Sequence, residues 1–66
     1  MKTHVSHQNL LVRTWMQQAL LRLIEAKSLS DITVTEVTKL AGVSRITFSR
    51  NYTELVDILF DYLEMQ

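Results

Sequence analysis

The chain has 66 residues, nearly half of them apolar, and its seven basic and seven acidic side chains give a formal net charge of zero. This length allows one small domain with a modest core. The absence of cysteine excludes a disulfide framework and a thiolate metal site. No apolar run approaches the roughly 20 residues of a membrane span, and the N-terminus has no signal-peptide pattern. We therefore expect a cytoplasmic protein without a membrane partner.

Charge is unevenly distributed along the chain. Residues 1–53 carry seven basic and three acidic side chains, a balance of +4, whereas residues 54–66 carry four acidic side chains and no basic one. A basic segment beside an acidic one favours a polyanion, such as nucleic acid, as the partner of the basic part. Many solvated surfaces share this asymmetry, so the charge distribution alone does not establish a nucleic-acid partner.

The N-terminal half of the sequence predicts a mobile arm followed by a long helix. Residues 1–8 lack hydrophobic periodicity and are expected to form a flexible N-terminal arm. His4 and His7 have an H-x-x-H spacing, but a metal site needs more ligands, so none is predicted. From residue 9 to 27, apolar residues recur at helical spacing and predict an amphipathic helix. Residues 28–31 break this pattern and predict a loop.

A second, short helix is predicted from residue 34. Thr33 and Glu36 form the T-x-x-E of a capping box, which satisfies backbone N–H groups at a helix start. Val37, Leu40 and Ala41 are expected to give this helix its apolar side.

The end of this helix and the start of the next lie within three residues. Gly42 is the only glycine of the chain, and it can end a helix by adopting the left-handed conformation without a Cβ clash. Ser44 is then placed to cap a third helix. Two short helices joined by such a tight turn predict a helix-turn-helix arrangement.

The third helix, predicted over about residues 44–51, has two different sides. At 100° per residue, Phe48 and Tyr52 share the side that faces the core, and Ile46 and Arg50 lie opposite. A face of arginine, small hydroxyls and one aliphatic side chain suits a DNA groove. Arginine forks fit guanine or a phosphate, hydroxyls reach phosphates, and an aliphatic group contacts a thymine methyl. The alternative for this helix alone is an ordinary solvated surface.

Three stretches together carry a family resemblance: the ALLRLI run of the first helix, the segment TVTEVTKLAGVSRITF, and the aromatic Tyr52. The region from Ala19 to Leu59 resembles the N-terminal domain of TetR-family bacterial transcriptional regulators. The family pattern there is close to T-x-x-x-I-A-x-x-A-G-V-S-x-G-T-L-Y-x-H-F. The resemblance implies an all-α, homeodomain-like bundle with a three-helix helix-turn-helix core and the start of a fourth helix.

The same resemblance implies a repressor that binds double-stranded operator DNA as a homodimer. Family members carry a larger C-terminal helical domain that dimerises and binds a small molecule, so such a ligand is expected only if that domain exists. The expected base contacts are Arg45, Ile46, Ser49 and Thr35. The expected phosphate or flanking contacts are Thr33, Ser44, Thr47, Arg50 and Asn51. The chain departs from the family pattern where Ser49 replaces a common Tyr and Leu55 replaces a common Lys.

The fourth helix, predicted over about residues 54–66, is more apolar than one packing partner requires. Its four acidic residues fall on one stripe, and the remaining positions form two apolar stripes. One apolar stripe is expected to cover the helix-turn-helix, and one such stripe is what a surface helix needs. The second stripe consists of Val56, Phe60 and Leu63. We expect it to be a partner interface, with a C-terminal domain into which the helix continues or with a second copy.

Catalysis has no support in the sequence, which lacks cysteine, a glycine-rich phosphate loop, and a base placed beside a nucleophile. We therefore expect no enzyme activity and no cofactor. The leading hypothesis is the operator-reading domain of a TetR-type regulator, acting at the bacterial nucleoid. The alternative is a helical protein-interaction or dimerisation module with weakened DNA binding, which uses the apolar and acidic fourth helix. Salt dependence separates the two, because phosphate binding weakens steeply with salt and apolar association does not.

Overall fold

The computed structural model describes residues 7–64, and within this range every regular element is helical. Four α-helices follow one another: α1 (His7–Ala26), α2 (Val34–Ala41), α3 (Arg45–Asn51) and α4 (Leu55–Glu64). A single 3-10 turn, Leu29–Asp31, occupies the predicted loop between α1 and α2. The prediction of a small all-α bundle is therefore confirmed. No helix among the described residues is both long enough and apolar enough to cross a bilayer.

Two of the predicted segments extend beyond the described residues. α1 begins at His7, two positions before the predicted start, and so includes the last two residues of the predicted arm. Residues 1–6 of that arm, including His4, lie outside the described part of the chain. Residues 65–66 of the predicted fourth helix also lie outside it.

Local signals in the sequence set both ends of α2. The Thr33 hydroxyl accepts from the Glu36 N–H at 3.1 Å, and the Glu36 carboxylate accepts from the Thr33 N–H at 2.9 Å, so the capping box is complete. At the other end, Gly42 has a φ of 77°, and its N–H donates to the carbonyls of Thr38 and Lys39. A Cβ at position 42 would meet nothing within 4 Å. The left-handed backbone, and not a lack of space, therefore favours glycine here.

After the three-residue turn the chain becomes helical again and forms α3, as predicted. The Ser44 hydroxyl accepts a hydrogen bond from the Thr47 N–H at 3.1 Å and caps the helix. α3 ends at Asn51 and is capped by Tyr52, whose backbone is extended and whose N–H donates to the carbonyl of Phe48 at 2.8 Å. The chain then turns into α4, where the Asp57 carboxylate accepts from the N–H groups of residues 53 and 54.

The core lies between α1 and the three shorter helices. Its largest fully buried side chains come from α1, α2 and α4, and they are Met16, Leu20, Val37 and Ile58. Phe48 and Tyr52 add a pair of aromatic rings whose centroids are 5.9 Å apart, and both face inward as predicted. α1 packs against each of the other three helices. Because helices as short as α2 and α3 are not stable alone, this packing holds them in place.

The prediction that Leu40 belongs to the apolar side of α2 is wrong. Leu40 is half exposed, whereas Val37 and Thr38 are buried. At 100° per residue, Leu40 lies more than a quarter turn from the centre of the buried face. Thr38 is accommodated in that face because its hydroxyl donates to the carbonyl of Thr35 at 3.1 Å.

Candidate nucleic-acid interface

One side of α3 points entirely away from the core. We define the outer face of α3 as the exposed side chains Arg45, Ile46, Ser49 and Arg50. Ile46 is 64% exposed, so its aliphatic surface is free to contact a ligand. The inner side of the same helix is occupied by Phe48, which is buried. The predicted division of this helix into a core side and an outward side is confirmed.

Arg45 is joined to α2 by a hydrogen bond on the exposed surface. Its Nη1 donates to the hydroxyl of Thr35 at 2.7 Å. Two of the four predicted base contacts, on different helices, are thus brought together. A guanidinium has five N–H donors in a planar fork. The bond to Thr35 uses one of them and leaves the others available to a ligand.

The predicted phosphate contacts lie at helix ends, where several of their polar atoms already have partners. The Thr33 and Ser44 hydroxyl oxygens accept the capping N–H groups of α2 and α3. The hydroxyls of Ser44 and Thr47 also lie 3.1 Å apart, so one of them donates to the other and one hydroxyl hydrogen of the pair remains. The Asn51 amide donates to the Thr47 carbonyl at 2.8 Å, and its side chain is half buried. Asn51 is therefore the least available of the predicted flanking contacts.

The arginines of the outer face have no acidic partner among the described residues. The two ion pairs within residues 7–64 are Arg13–Asp61 and Lys27–Glu36. Both lie outside α3. Neither arginine is neutralised by an ion pair, so both can attract an anionic ligand, although Arg50 shares its groove with the carboxylates of Asp57, Asp61 and Glu64.

The predicted partner stripe on α4 is only partly accessible. Phe60 and Leu63 are 57% and 64% exposed, whereas Val56 is half buried. Phe60 borders an open groove of about 470 Å³ between the C-terminal end of α3 and α4, and Arg50 lines the same groove. The two features that the sequence indicated, the outer face of α3 and the stripe of α4, therefore meet at one groove.

Sequence reasoning missed a polar junction beneath this groove. The carboxylate of Asp61 on α4 accepts hydrogen bonds from Arg13 and Gln17 of α1 and from Tyr52 at the end of α3. Arg13 donates through Nε at 2.9 Å and through Nη2 at 2.5 Å, so its contact is bidentate. Gln17 donates at 3.1 Å, and the Tyr52 hydroxyl donates at 2.6 Å. One carboxylate therefore connects three helices.

The junction shifts the ionisation of its members. Burial opposes the charge of Asp61, but the hydrogen bonds from Arg13 and Tyr52 outweigh it and hold the pKa of Asp61 below its usual value. The hydrogen bond to Asp61 raises the pKa of Arg13. Burial, together with the bond to Asp61, raises the pKa of Tyr52 to about 12. At neutral pH the junction is therefore an ionised carboxylate held by a guanidinium and a protonated phenol.

A partial signal for the junction was present in the sequence. Arg13 and Gln17 are four residues apart and flank the buried Met16, so both lie near the core side of α1. Asp61 lies three residues after the buried Ile58 on α4. Polar side chains beside a core need partners, but the sequence does not say which ones they find.

Comparison of the chain with protein-family models, with curated proteins and with solved structures finds no significant match in any of the three. We therefore infer the function from the side chains of the helix-turn-helix and their surroundings.

Proposed function

We propose that this protein binds double-stranded DNA sequence-specifically, as the operator-reading domain of a TetR-type transcriptional regulator in which α3 is the recognition helix. The observation that carries the proposal is the division of α3. Phe48 anchors its inner side in the core, and its outer face exposes two arginines that form no ion pair within residues 7–64. A solvated helix also carries polar residues outside, but it gains nothing from the exposed Ile46, which suits contact with a thymine methyl in a major groove.

Each residue of the outer face has a role in this proposal. Arg45 offers two of its five N–H donors to guanine O6 and N7 while another stays on Thr35. Ile46 contacts a thymine methyl, and Ser49 donates to a base edge or a nearby phosphate. Arg50 neutralises a backbone phosphate, which strengthens binding without reading the sequence.

The turn and the start of α2 supply the flanking contacts of the proposal. The remaining hydroxyl hydrogen of the Ser44–Thr47 pair can donate to a phosphate oxygen, and Thr33 lies at the start of the neighbouring helix. Asn51 can contribute through the second N–H of its amide, because its bond to the Thr47 carbonyl uses only one of the two.

We further propose that the domain works in the cytoplasm within a homodimeric repressor. A two-fold dimer reads two half-sites separated by about one helical turn of DNA or a multiple of it. Phe60 and Leu63 would then pack against the dimerising part of the regulator, and a small-molecule ligand would belong to that part.

A second candidate function rests on the same exposed side chains. Phe60 and Leu63 favour a protein-interaction or dimerisation module that uses α4 and binds DNA only weakly. The two functions differ in their response to salt, because binding through phosphates weakens steeply as salt rises. Association through apolar side chains does not weaken in this way.

The test is selection of bound sites from a random DNA library, followed by affinity measurements at several salt concentrations. We expect a recurring half-site, and Arg45→Ala should weaken operator binding by about 1–3 kcal/mol and relax the preference at one base pair. Arg22→Ala, which removes an exposed arginine of α1, is the charge-matched control and should leave that preference intact. If no sequence is enriched, or if Arg45→Ala weakens random DNA equally, the proposed role of α3 is wrong.

A further inference from the structure

The orientation of α3 depends on few contacts. The helix has seven residues and one buried side chain, Phe48. Its N-terminal end is tied to α2 by the exposed Arg45–Thr35 bond. Its C-terminal end is tied by Tyr52, whose ring is in the core and whose hydroxyl reaches Asp61 at 2.6 Å. The Tyr52–Asp61 bond is thus the one polar link described between the end of α3 and α4.

The carboxylate at this link is itself held from the opposite side. Arg13 and Gln17 of α1 bind the Asp61 carboxylate through three charge-assisted hydrogen bonds, two of them from one guanidinium. The position of Asp61 is therefore fixed relative to α1. Because Tyr52 must meet this fixed acceptor, the end of α3 has one preferred position.

Displacing α3 would break the hydrogen bond between the Tyr52 hydroxyl and the Asp61 carboxylate. If α3 shifts, Asp61 loses the Tyr52 donor, and a largely buried carboxylate is left with one partner fewer. Asp61 would keep its bonds to Arg13 and Gln17, so the loss is one charge-assisted hydrogen bond, which contributes more than a neutral one. A partly buried ionic group of this kind contributes little net stability compared with an apolar replacement, but it penalises alternative arrangements.

We infer that Asp61 is a positioning residue for recognition: through Tyr52 it fixes the angle at which the outer face of α3 meets DNA, although it touches no DNA itself. This inference rests on the proposed function. A misplaced α3 loses contacts with base edges, which require geometry, and keeps the attraction to phosphates, which does not. Loss of the junction should therefore weaken binding to the operator more than binding to random-sequence DNA.

The experiment compares Tyr52→Phe and Asp61→Asn with the unchanged chain on the selected operator and on random-sequence DNA, with the folded fraction measured by circular dichroism. Tyr52→Phe keeps the ring in the core and removes only the hydroxyl, which donates to Asp61 and also interacts with Gln17 and Arg13. We expect each variant to lose about tenfold or more in operator affinity, as expected for a lost bond to a charged group. Affinity for random DNA and its salt slope should not change in Tyr52→Phe, which keeps the charge, whereas Asp61→Asn removes a negative charge beside Arg50 and should raise affinity for random DNA while lowering it for the operator. The Lys27→Met control breaks an ion pair between the end of α1 and α2 that does not involve α3, and should preserve the affinity ratio.

A second measurement tests positioning in the free protein, independently of DNA. Amide exchange and inter-helix nuclear Overhauser effects should show a local change in α3 in Tyr52→Phe, with α1 and α2 unaltered. If exchange rises uniformly in all helices, or if operator and random DNA lose affinity by the same factor, the junction only supports folding and the inference is overturned. If the unchanged chain selects no DNA sequence, the proposed function fails, and the local response of α3 still decides whether Asp61 positions it.

Discussion

The guanidinium of Arg45 on α3 donates a 2.7 Å hydrogen bond to the hydroxyl of Thr35 on α2. The bond crosses the helix-turn-helix on its exposed side, next to the face that we propose enters the groove. It links two residues that were predicted separately as base contacts, and Thr35 accepts this bond without using its own hydroxyl hydrogen.

Thr35→Val should weaken operator binding by about 0.5–1.5 kcal/mol, the range for one hydrogen bond, because Arg45 loses its partner. Valine keeps the shape of threonine without the hydroxyl. Thr35→Ser keeps the hydroxyl and should retain most of the affinity. Affinities on the operator and on its variant at the Arg45 base pair provide the measurement. Equal effects of valine and serine would show that the hydroxyl is not involved.

Val37→Asp should unfold the domain, because it places an unpaired charge at a fully buried position of a small core. Circular dichroism and urea titration measure the loss. Leu40→Asp is the matched control on the same helix, where the side chain is half exposed. A folded Val37→Asp protein, or an unfolded Leu40→Asp protein, would contradict the observed faces of α2.

Gly42→Ala should destabilise the fold by about 1–2 kcal/mol, the cost of the left-handed conformation for a residue with a Cβ. No atom lies within 4 Å of that Cβ, so backbone strain is the only contribution expected. Gly42→Asn should cost less, since asparagine tolerates this conformation better. Urea midpoints of the three proteins give the order, and an alanine variant as stable as the unchanged chain would contradict it.

Asp61→Asn should remove an acid-sensitive part of the stability. The pKa of Asp61 in the folded protein lies below its usual value. Such a group contributes stability that is fully present above the unfolded-state pKa of about 3.9, and this contribution is lost as the pH falls through the folded-state pKa. Urea midpoints at decreasing pH should therefore fall more steeply below about pH 4 for the unchanged chain than for the variant. Glu36, whose pKa is lowered by its hydrogen bonds to Lys27 and Thr33, remains in both proteins. Parallel curves would show that Asp61 contributes nothing to this dependence.

Phe60→Ser combined with Leu63→Ser should abolish self-association of the chain. The unchanged chain exposes both side chains and should associate as its concentration rises, with little dependence on salt. Sedimentation at several concentrations measures the effect for both proteins. Val56 is left unchanged, because it is half buried and its replacement would also affect the fold. If the unchanged chain remains a monomer throughout, this stripe is not a self-association surface.

The helix-turn-helix could be predicted because its determinants are local. Thr33 and Glu36 are three residues apart, and Gly42 acts through its own backbone. The fold class followed from these signals and from the helical spacing of α1. Neither requires knowledge of which distant side chains meet.

The junction at Asp61 could not be predicted for the opposite reason. Its α1 partners, Arg13 and Gln17, lie 48 and 44 residues away along the chain. An acidic residue in a stripe of acidic residues is ordinarily solvated, and the spacing of Asp61 from the buried Ile58 does not identify the side chains that it meets. The prediction for Leu40 was wrong for a similar reason, because an apolar residue next to a buried helix face need not be part of that face. Likewise, the assignment of Asn51 by position could not show that its amide is already bonded within α3.

The bond between Arg45 and Thr35 also affects the thermodynamics of the proposed recognition step. A free arginine loses rotamer entropy when it is ordered, and this loss normally accompanies ligand binding. Here part of that loss occurs when the chain folds, because Nη1 is held before any DNA arrives. The side chain would then enter the groove already oriented. Calorimetry should find a less unfavourable binding entropy for the unchanged chain than for Thr35→Val. The Thr35 hydroxyl would then favour recognition of a base pair by reducing the number of conformations that Arg45 loses on binding.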